Sequence, residues 1–178
     1  VNISPLGAEL VGLEDKRDGV EHMWSADPKF WPRRAPILFP CVGESRDGKI
    51  QVDGVDYPMG RHGFTRMQEF EVKASSKTEA VFELTENEET LKSYPFKFKF
   101  TVRYELKDAS LIQSFEVFNS DEKELGFQLG GHPAFAVPFN ENESYSDYEI
   151  RFDCSMTIER HLLNDKGLYN GETRNVLN

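Results

Sequence analysis

Two short stretches hold residues able to move protons near neutral pH. The first is Gly130-Gly131-His132-Pro133-Ala134-Phe135, an imidazole between two glycines and a proline on an apolar run. Pro133 disfavours the α region for the residue before it, so His132 is expected in an extended, restricted backbone. Glycine and proline together inside a strand pattern mark a bulge or an edge, where a side chain is re-aimed. The second is Arg61-His62-Gly63-Phe64-Thr65-Arg66, a loop with another imidazole and two guanidinium groups. Histidine titrates near the working pH, so either ring suits general acid–base chemistry. Each has a structural alternative: a histidine satisfied beside a bulge at 132, and a turn histidine packed under Phe64 at 62.

Other chemistry-bearing residues are less ordered in pattern. Arg33 and Arg34 are adjacent, so in an extended segment they point to opposite faces and one of them faces a groove. Arg66 either grips a ligand oxygen or pairs with one of the many carboxylates. His22 and His161 stand in no motif. Trp24, Trp31 and Phe135 could stack on a flat apolar ligand face, although aromatic residues in a sandwich usually fill the core. The four histidines and the carboxylates show no HExxH or other close-ligand spacing, so no metal and no cofactor is expected.

The elements that must position these groups are strands. Phe96, Phe98, Phe100, Val102, Tyr104 and Leu106 alternate with Lys97, Lys99, Thr101, Arg103 and Glu105, the mark of a strand with one dry and one wet face. Shorter alternations run over 69–74 and 79–84. Residues 111–118 are apolar on both faces in part, which predicts a more central strand. Asp53-Gly54 between Ile50-Gln51-Val52 and Val55-Asp56-Tyr57 predicts a β-hairpin. Asp18-Gly19 predicts a second turn, with 20–24 as its return strand. Asp27 followed by Pro28 predicts a single capped helical turn, stopped by Pro32. The run 33–43 is fenced by prolines and reads as an edge or irregular segment. Further strands are expected at 148–152 and 156–158, with 164–178 loop-like. No stretch carries a 3.6-residue apolar period over ten or more residues. Many short strands with regular turn signals predict an antiparallel β-sandwich and one domain over 1–178.

Composition narrows the partners. The formal charge is −10 over 178 residues, which argues against nucleic acid or an anionic membrane, since both need a basic footprint. Cys41 and Cys154 fit no metal spacing and suggest reduced thiols in a cytoplasmic protein.

With these motifs in hand, the chain resembles the aldose 1-epimerase (galactose mutarotase-like) superfamily, and within it the LacX-like branch. The resemblance rests on Gly7-Ala8-Glu9-Leu10, on Arg33-Arg34-Ala35-Pro36-Ile37-Leu38-Phe39-Pro40 with Val42-Gly43, on the Asp53-Gly54 hairpin, on His62-Gly63-Phe64-Thr65-Arg66 and on Gly131-His132-Pro133-Ala134-Phe135. It implies a large antiparallel sandwich, incomplete here at its C-terminal end, that binds a small sugar and interconverts its α and β anomers by ring opening. His132 would then be the general acid and His62 a second active-site histidine near the reacting oxygen. The base implied by the resemblance is a glutamate that would lie after residue 178, so 1–178 alone is expected to be inactive and poorly stable. The resemblance also implies an arginine after the glycine of the apolar run. Glu44 stands there, with Arg46 two residues on and on the same face if the segment is extended. Arg33, Arg34, Arg46 and Arg66 are thus the candidate sugar contacts. Alternatives are a hexose 6-phosphate as substrate, held by two or more arginines, and a carbohydrate-binding protein without turnover. The chain could act as a monomer or a homodimer.

Overall fold

The alternation that dominates the middle of the sequence builds the main sheet. The computed structural model describes residues 1–151 and 158–176. Strands run in the order β1 (Asn2–Ser4), β2 (Glu9–Gly12), β3 (Ile37–Leu38), β4 (Lys49–Val52), β5 (Val55–Pro58), β6 (Glu71–Ser75), β7 (Glu79–Thr85), β8 (Phe98–Lys107), β9 (Ser110–Asn119), β10 (Gly130–Gly131), β11 (Glu159–Leu163) and β12 (Tyr169–Asn175). One short helix, α1 (Glu88–Ser93), lies between β7 and β8. β6, β7, β8 and β9 form an antiparallel four-stranded sheet in that order, and the other strands pair two by two.

The dry face of β8 is the floor of the core. Phe98, Phe100 and Val102 are fully buried and Tyr104 is 2% exposed. Onto that face packs Phe39, the residue after β3, stacked 4.8 Å from Phe100 and tilted 5.4 Å from Phe98. Burying each such ring stabilises the fold by about 1.5–3 kcal/mol. Tyr94 and Phe64 close the cluster from the side. The segment that leads to both candidate histidines is therefore fixed to the stiffest part of the molecule.

Several local expectations hold. Asp53 (φ 50°) and Gly54 (φ 80°) form the two-residue turn joining β4 to β5. The Asp27 carboxylate accepts the Lys29 N–H at 2.9 Å, and its carbonyl accepts from Phe30 and Trp31, which makes the single capped turn. Others are corrected. Residues 20–24 form no strand beyond isolated bridges, because the Glu21 carboxylate takes the Leu13 and Met23 N–H groups that a ladder would use. Among the described residues β9 is the edge strand of its sheet rather than a central one, with Ile112 and Phe118 exposed at 40% and 54%. Residues 148–151 form no strand, having no described neighbour to pair with, while 152–157, with Cys154 and most of the 156–158 expectation, lie outside the described residues. The stretch after 164 is a hairpin rather than a loop. The Asn164 side chain accepts the Lys166 and Leu168 N–H groups to make the turn, and β12 pairs with β11 through the backbone ladder and a His161–Tyr169 ring contact, exposed along its whole length. α1 escapes a periodicity reading because it has six residues. Its start is nevertheless written in Asn87-Glu88-Glu89-Thr90, a capping box in which the Asn87 side chain accepts from Thr90 and the Thr90 hydroxyl accepts from Asn87.

Candidate active site

His132 follows the two-residue strand β10, which pairs with β3. The pairing continues beyond both strands: the His132 N–H donates to the Pro36 carbonyl at 3.1 Å and the Ala134 N–H to the Arg34 carbonyl at 2.7 Å. The extended conformation that Pro133 demands is thus locked by the partner segment. The His132 ring is exposed and lies against Trp31, with ring centroids 4.9 Å apart. Trp31 is placed in turn by Trp24, whose indole N–H donates to the Trp31 carbonyl at 2.9 Å. On the other side of His132, at 6.1 Å between centroids, is His62.

His62 is held in a different way. It has φ 65°, in the left-handed region, and is followed by Gly63 at φ 70°. Gly63 must be glycine for space as well as for torsion, since a Cβ there would stand 2.2 Å from the Phe39 carbonyl oxygen. That oxygen accepts from Phe64 N–H, Thr65 N–H and the Thr65 hydroxyl, which ties the loop to the core. The His62 peptide and ring then clasp Gly43. The His62 N–H donates to the Gly43 carbonyl at 2.8 Å, and the Gly43 N–H donates to His62 Nδ1 at 2.9 Å. With Nδ1 as acceptor, the neutral ring carries its proton on Nε2. Burial holds its proton affinity below the ordinary histidine value, helped by the charges of Arg66, His132 and Arg61; Glu44 opposes them. His62 is accordingly a fixed neutral Nε2–H donor beside His132.

The four candidate arginines separate. Arg66 stays at the site, with Nε buried and unpartnered, and with Nη2 donating to the Arg61 carbonyl at 2.9 Å. Its guanidinium is less basic than usual because it is buried and has Arg33 and Arg61 nearby. Arg33 donates through Nη1 to the Arg66 carbonyl at 3.2 Å and lies 3.5 Å from Glu9 Oε2. Arg34 points elsewhere: its guanidinium donates to the Val11 and Ser25 carbonyls. Arg46 is exposed and opens a 3₁₀ turn over Arg46–Gly48, after an extended Ser45. Glu44 instead takes Arg61 as its partner, Nε to Oε2 at 3.0 Å. Sequence reasoning passed over Arg61 and Glu9. Only the place of Arg61 beside His62, and of Glu9 in the Gly7-Ala8-Glu9-Leu10 stretch, pointed to them.

The site is a histidine pair with a tryptophan ring against one of them and no described carboxylate bonded to either ring. The aldose 1-epimerase family model matches residues 1–176. The chain belongs to this family. Its LacX-like branch is shown by the chromosomal protein LacX of Lactococcus lactis subsp. lactis, 37% identical over 158 residues, which cover 85% of this chain and 52% of the relative. A galactose mutarotase related enzyme from Lactobacillus acidophilus superposes with a TM-score of 0.92 at 37% identity, over 97% of this chain and 58% of that one. A galactose mutarotase-like protein from Lactobacillus casei gives 0.83 at 33% identity, over 96% and 58%. The fold is the all-β sandwich of the galactose mutarotase-like proteins. The chain spans about half the length of the curated family relatives it matches. No helix of the described residues is long and apolar enough to cross a membrane.

Proposed function

We propose that the protein is an aldose 1-epimerase acting on a hexose, with His132 as general acid and His62 as a neutral hydrogen-bond donor. In ring opening, the C1–O5 bond breaks as O5 takes a proton from His132 and the anomeric hydroxyl gives its proton to a base. Rotation about C1–C2 and the reverse transfers close the ring on the other face. Electrons and protons balance without any redox partner. The observation that carries the reading is the His62–His132 pair, 6.1 Å apart, one ring exposed and the other clasped as an Nε2–H donor. A fixed donor needs no reorganisation when negative charge develops on a nearby oxygen. Trp31 supplies an apolar face beside His132. The base is not Glu9 or Glu44, since Glu9 is buried in a backbone and arginine network and Glu44 is bound by Arg61.

One observation favours a phosphorylated sugar as a second reading: the buried, unpartnered Nε of Arg66, with Arg33 and Arg61 close by. Polarimetry on freshly dissolved α-glucose, α-galactose and their 6-phosphates tests both readings with the full-length protein. Faster equilibration of a free sugar supports the first, and of a 6-phosphate alone the second. Binding without acceleration leaves a carbohydrate-binding protein. His132→Asn is expected to slow turnover by about 10²–10⁴-fold, and an unchanged rate removes His132 from the chemistry.

A further inference from the structure

Glu9 is a carboxylate at 6% exposure that the proton transfers do not use. Its Oε1 accepts the backbone N–H groups of Arg34 at 2.8 Å and Ala35 at 2.9 Å. Its Oε2 faces Arg33 Nη1 at 3.5 Å. Each oxygen leads to one histidine. From Oε1 the path passes through the 34–36 backbone, whose Arg34 and Pro36 carbonyls hold Ala134 and His132. From Oε2 it passes through Arg33 Nη1, which also donates to the Arg66 carbonyl; the Arg66 guanidinium then donates to the carbonyl of Arg61, the residue before His62. A second contact docks the turn before β2 on the His62 loop. The Gly7 N–H donates to the Gln68 carbonyl at 2.8 Å, and a Cβ on Gly7 would meet Arg66 Cα at 3.0 Å.

We propose that Glu9 is a positioning residue: one buried carboxylate that ties together the two segments bearing His62 and His132 and so sets the spacing of the pair. The proposal rests on the reading of those histidines as the reacting pair. Its physical basis is that a buried carboxylate left without partners is costly, so all of its donors are held at once. Charge-assisted bonds of this kind are also stiffer than neutral ones. Arg34 and Arg33 thereby serve the site as struts, one through its peptide and one through its guanidinium.

The test uses the full-length protein with two variants. Glu9→Gln keeps an oxygen for the Arg34 and Ala35 N–H groups but sets an amide NH₂ against Arg33. Arg33→Met removes the guanidinium and keeps an apolar stem. Tyr104→Phe is the structural control. It removes the buried hydroxyl that donates to the Ala8 carbonyl at 2.7 Å, one residue before Glu9. Long-range ¹H–¹⁵N spectra of the imidazoles report the His62 tautomer, and anomerisation kinetics are taken per folded molecule. In Glu9→Gln and Arg33→Met, His62 is expected to lose its single Nε2–H form, and kcat to fall about 10- to 100-fold, as misplaced reacting groups do. KM should stay within roughly threefold, since the loss is confined to the transition state. Tyr104→Phe should lower thermal stability and leave both readouts in place. If Glu9→Gln and Arg33→Met behave like Tyr104→Phe, the proposal is overturned. The imidazole spectra decide it even where no sugar is turned over, so a failure of the proposed reaction is told apart from a failure of this role.

Discussion

Replacing Gly63 by alanine is the sharpest test of how the fold presents His62, because the structure supplies its own control. Gly63 (φ 70°) and Gly48 (φ 67°) share a left-handed backbone, but a Cβ on Gly48 meets nothing within 4 Å. Gly48→Ala therefore carries only the torsional cost, about 1 kcal/mol. A Cβ on Gly63 would stand 2.2 Å from the Phe39 oxygen, 2.5 Å from its carbon and 2.7 Å from the Pro40 nitrogen, all backbone atoms. Phe39 cannot retreat, since its ring is fully buried against Phe98 and Phe100. The loop must yield instead, stretching the three hydrogen bonds that the Phe39 carbonyl accepts from Phe64 and Thr65. At about 0.5–1.5 kcal/mol each, their weakening adds about 2–3 kcal/mol. For a chain of this size, Tm should fall about 6–16 °C in Gly63→Ala against about 2–4 °C in Gly48→Ala. Differential scanning calorimetry of the two variants side by side gives the comparison. Equal shifts would refute the claim that close packing on Phe39, and not torsion alone, fixes this loop.

The lowered proton affinity of His62 makes stability depend on pH. Its folded pKa lies below the unfolded value of about 6.5, so its contribution is complete above 6.5 and is lost as pH falls from there through the folded pKa. Protonation also takes Nδ1 away from the Gly43 N–H. Urea midpoints should drop between pH 7.5 and 5.5, and His62→Gln should flatten that drop; an unaltered slope would assign it to other groups. The arginines separate by experiment as well. Arg34→Met should cost about 1–3 kcal/mol by stranding the Val11 and Ser25 carbonyls while leaving KM unchanged. Arg66→Met should raise KM for the sugar, and a variant that changes stability alone would take Arg66 out of the groove.

The strands were legible in the sequence where one face is dry. Phe98, Phe100, Val102 and Tyr104 announce β8 because burial writes a two-residue period, and Asp53-Gly54 announces its hairpin because the turn needs two left-handed residues. Legibility failed where backbone bonds or side chains replace that signal. β12 is exposed throughout and has no apolar period to read. The return from Asp18-Gly19 is bonded by the Glu21 carboxylate instead of a ladder. β9 carries apolar residues on both faces yet lies at a sheet edge among the described residues, since composition reports apolarity and not how many neighbours are present. His132 was noticed from its glycine and proline neighbours and is held extended by strand pairing, whereas His62, beside Gly63, is set by left-handed backbone. The clasp between His62 and Gly43 was not readable, because it joins residues 19 apart through a ring nitrogen.

The arginines show why residue type alone does not define a sugar site. A guanidinium has five donors, and a folded chain is full of carbonyls that accept them. Arg34 is taken by Val11 and Ser25, and Arg33 by Glu9 and the Arg66 carbonyl. The charge nearest the histidines is then decided by what remains. Arg61 reaches Glu44, so the acidic residue standing where the resemblance implies an arginine is matched by a cation from the His62 loop itself. That exchange leaves a carboxylate close enough to oppose the arginines at His62, but burial, first, and the neighbouring Arg66 and Arg61 outweigh it. The result is an imidazole that favours its neutral form and keeps its proton on the outward nitrogen, beside an exposed histidine whose ring is bonded to no carboxylate among the described residues. In the proposed reaction two chemically identical side chains would thereby take different tasks, donor and acid, from backbone geometry and the placement of a few charges.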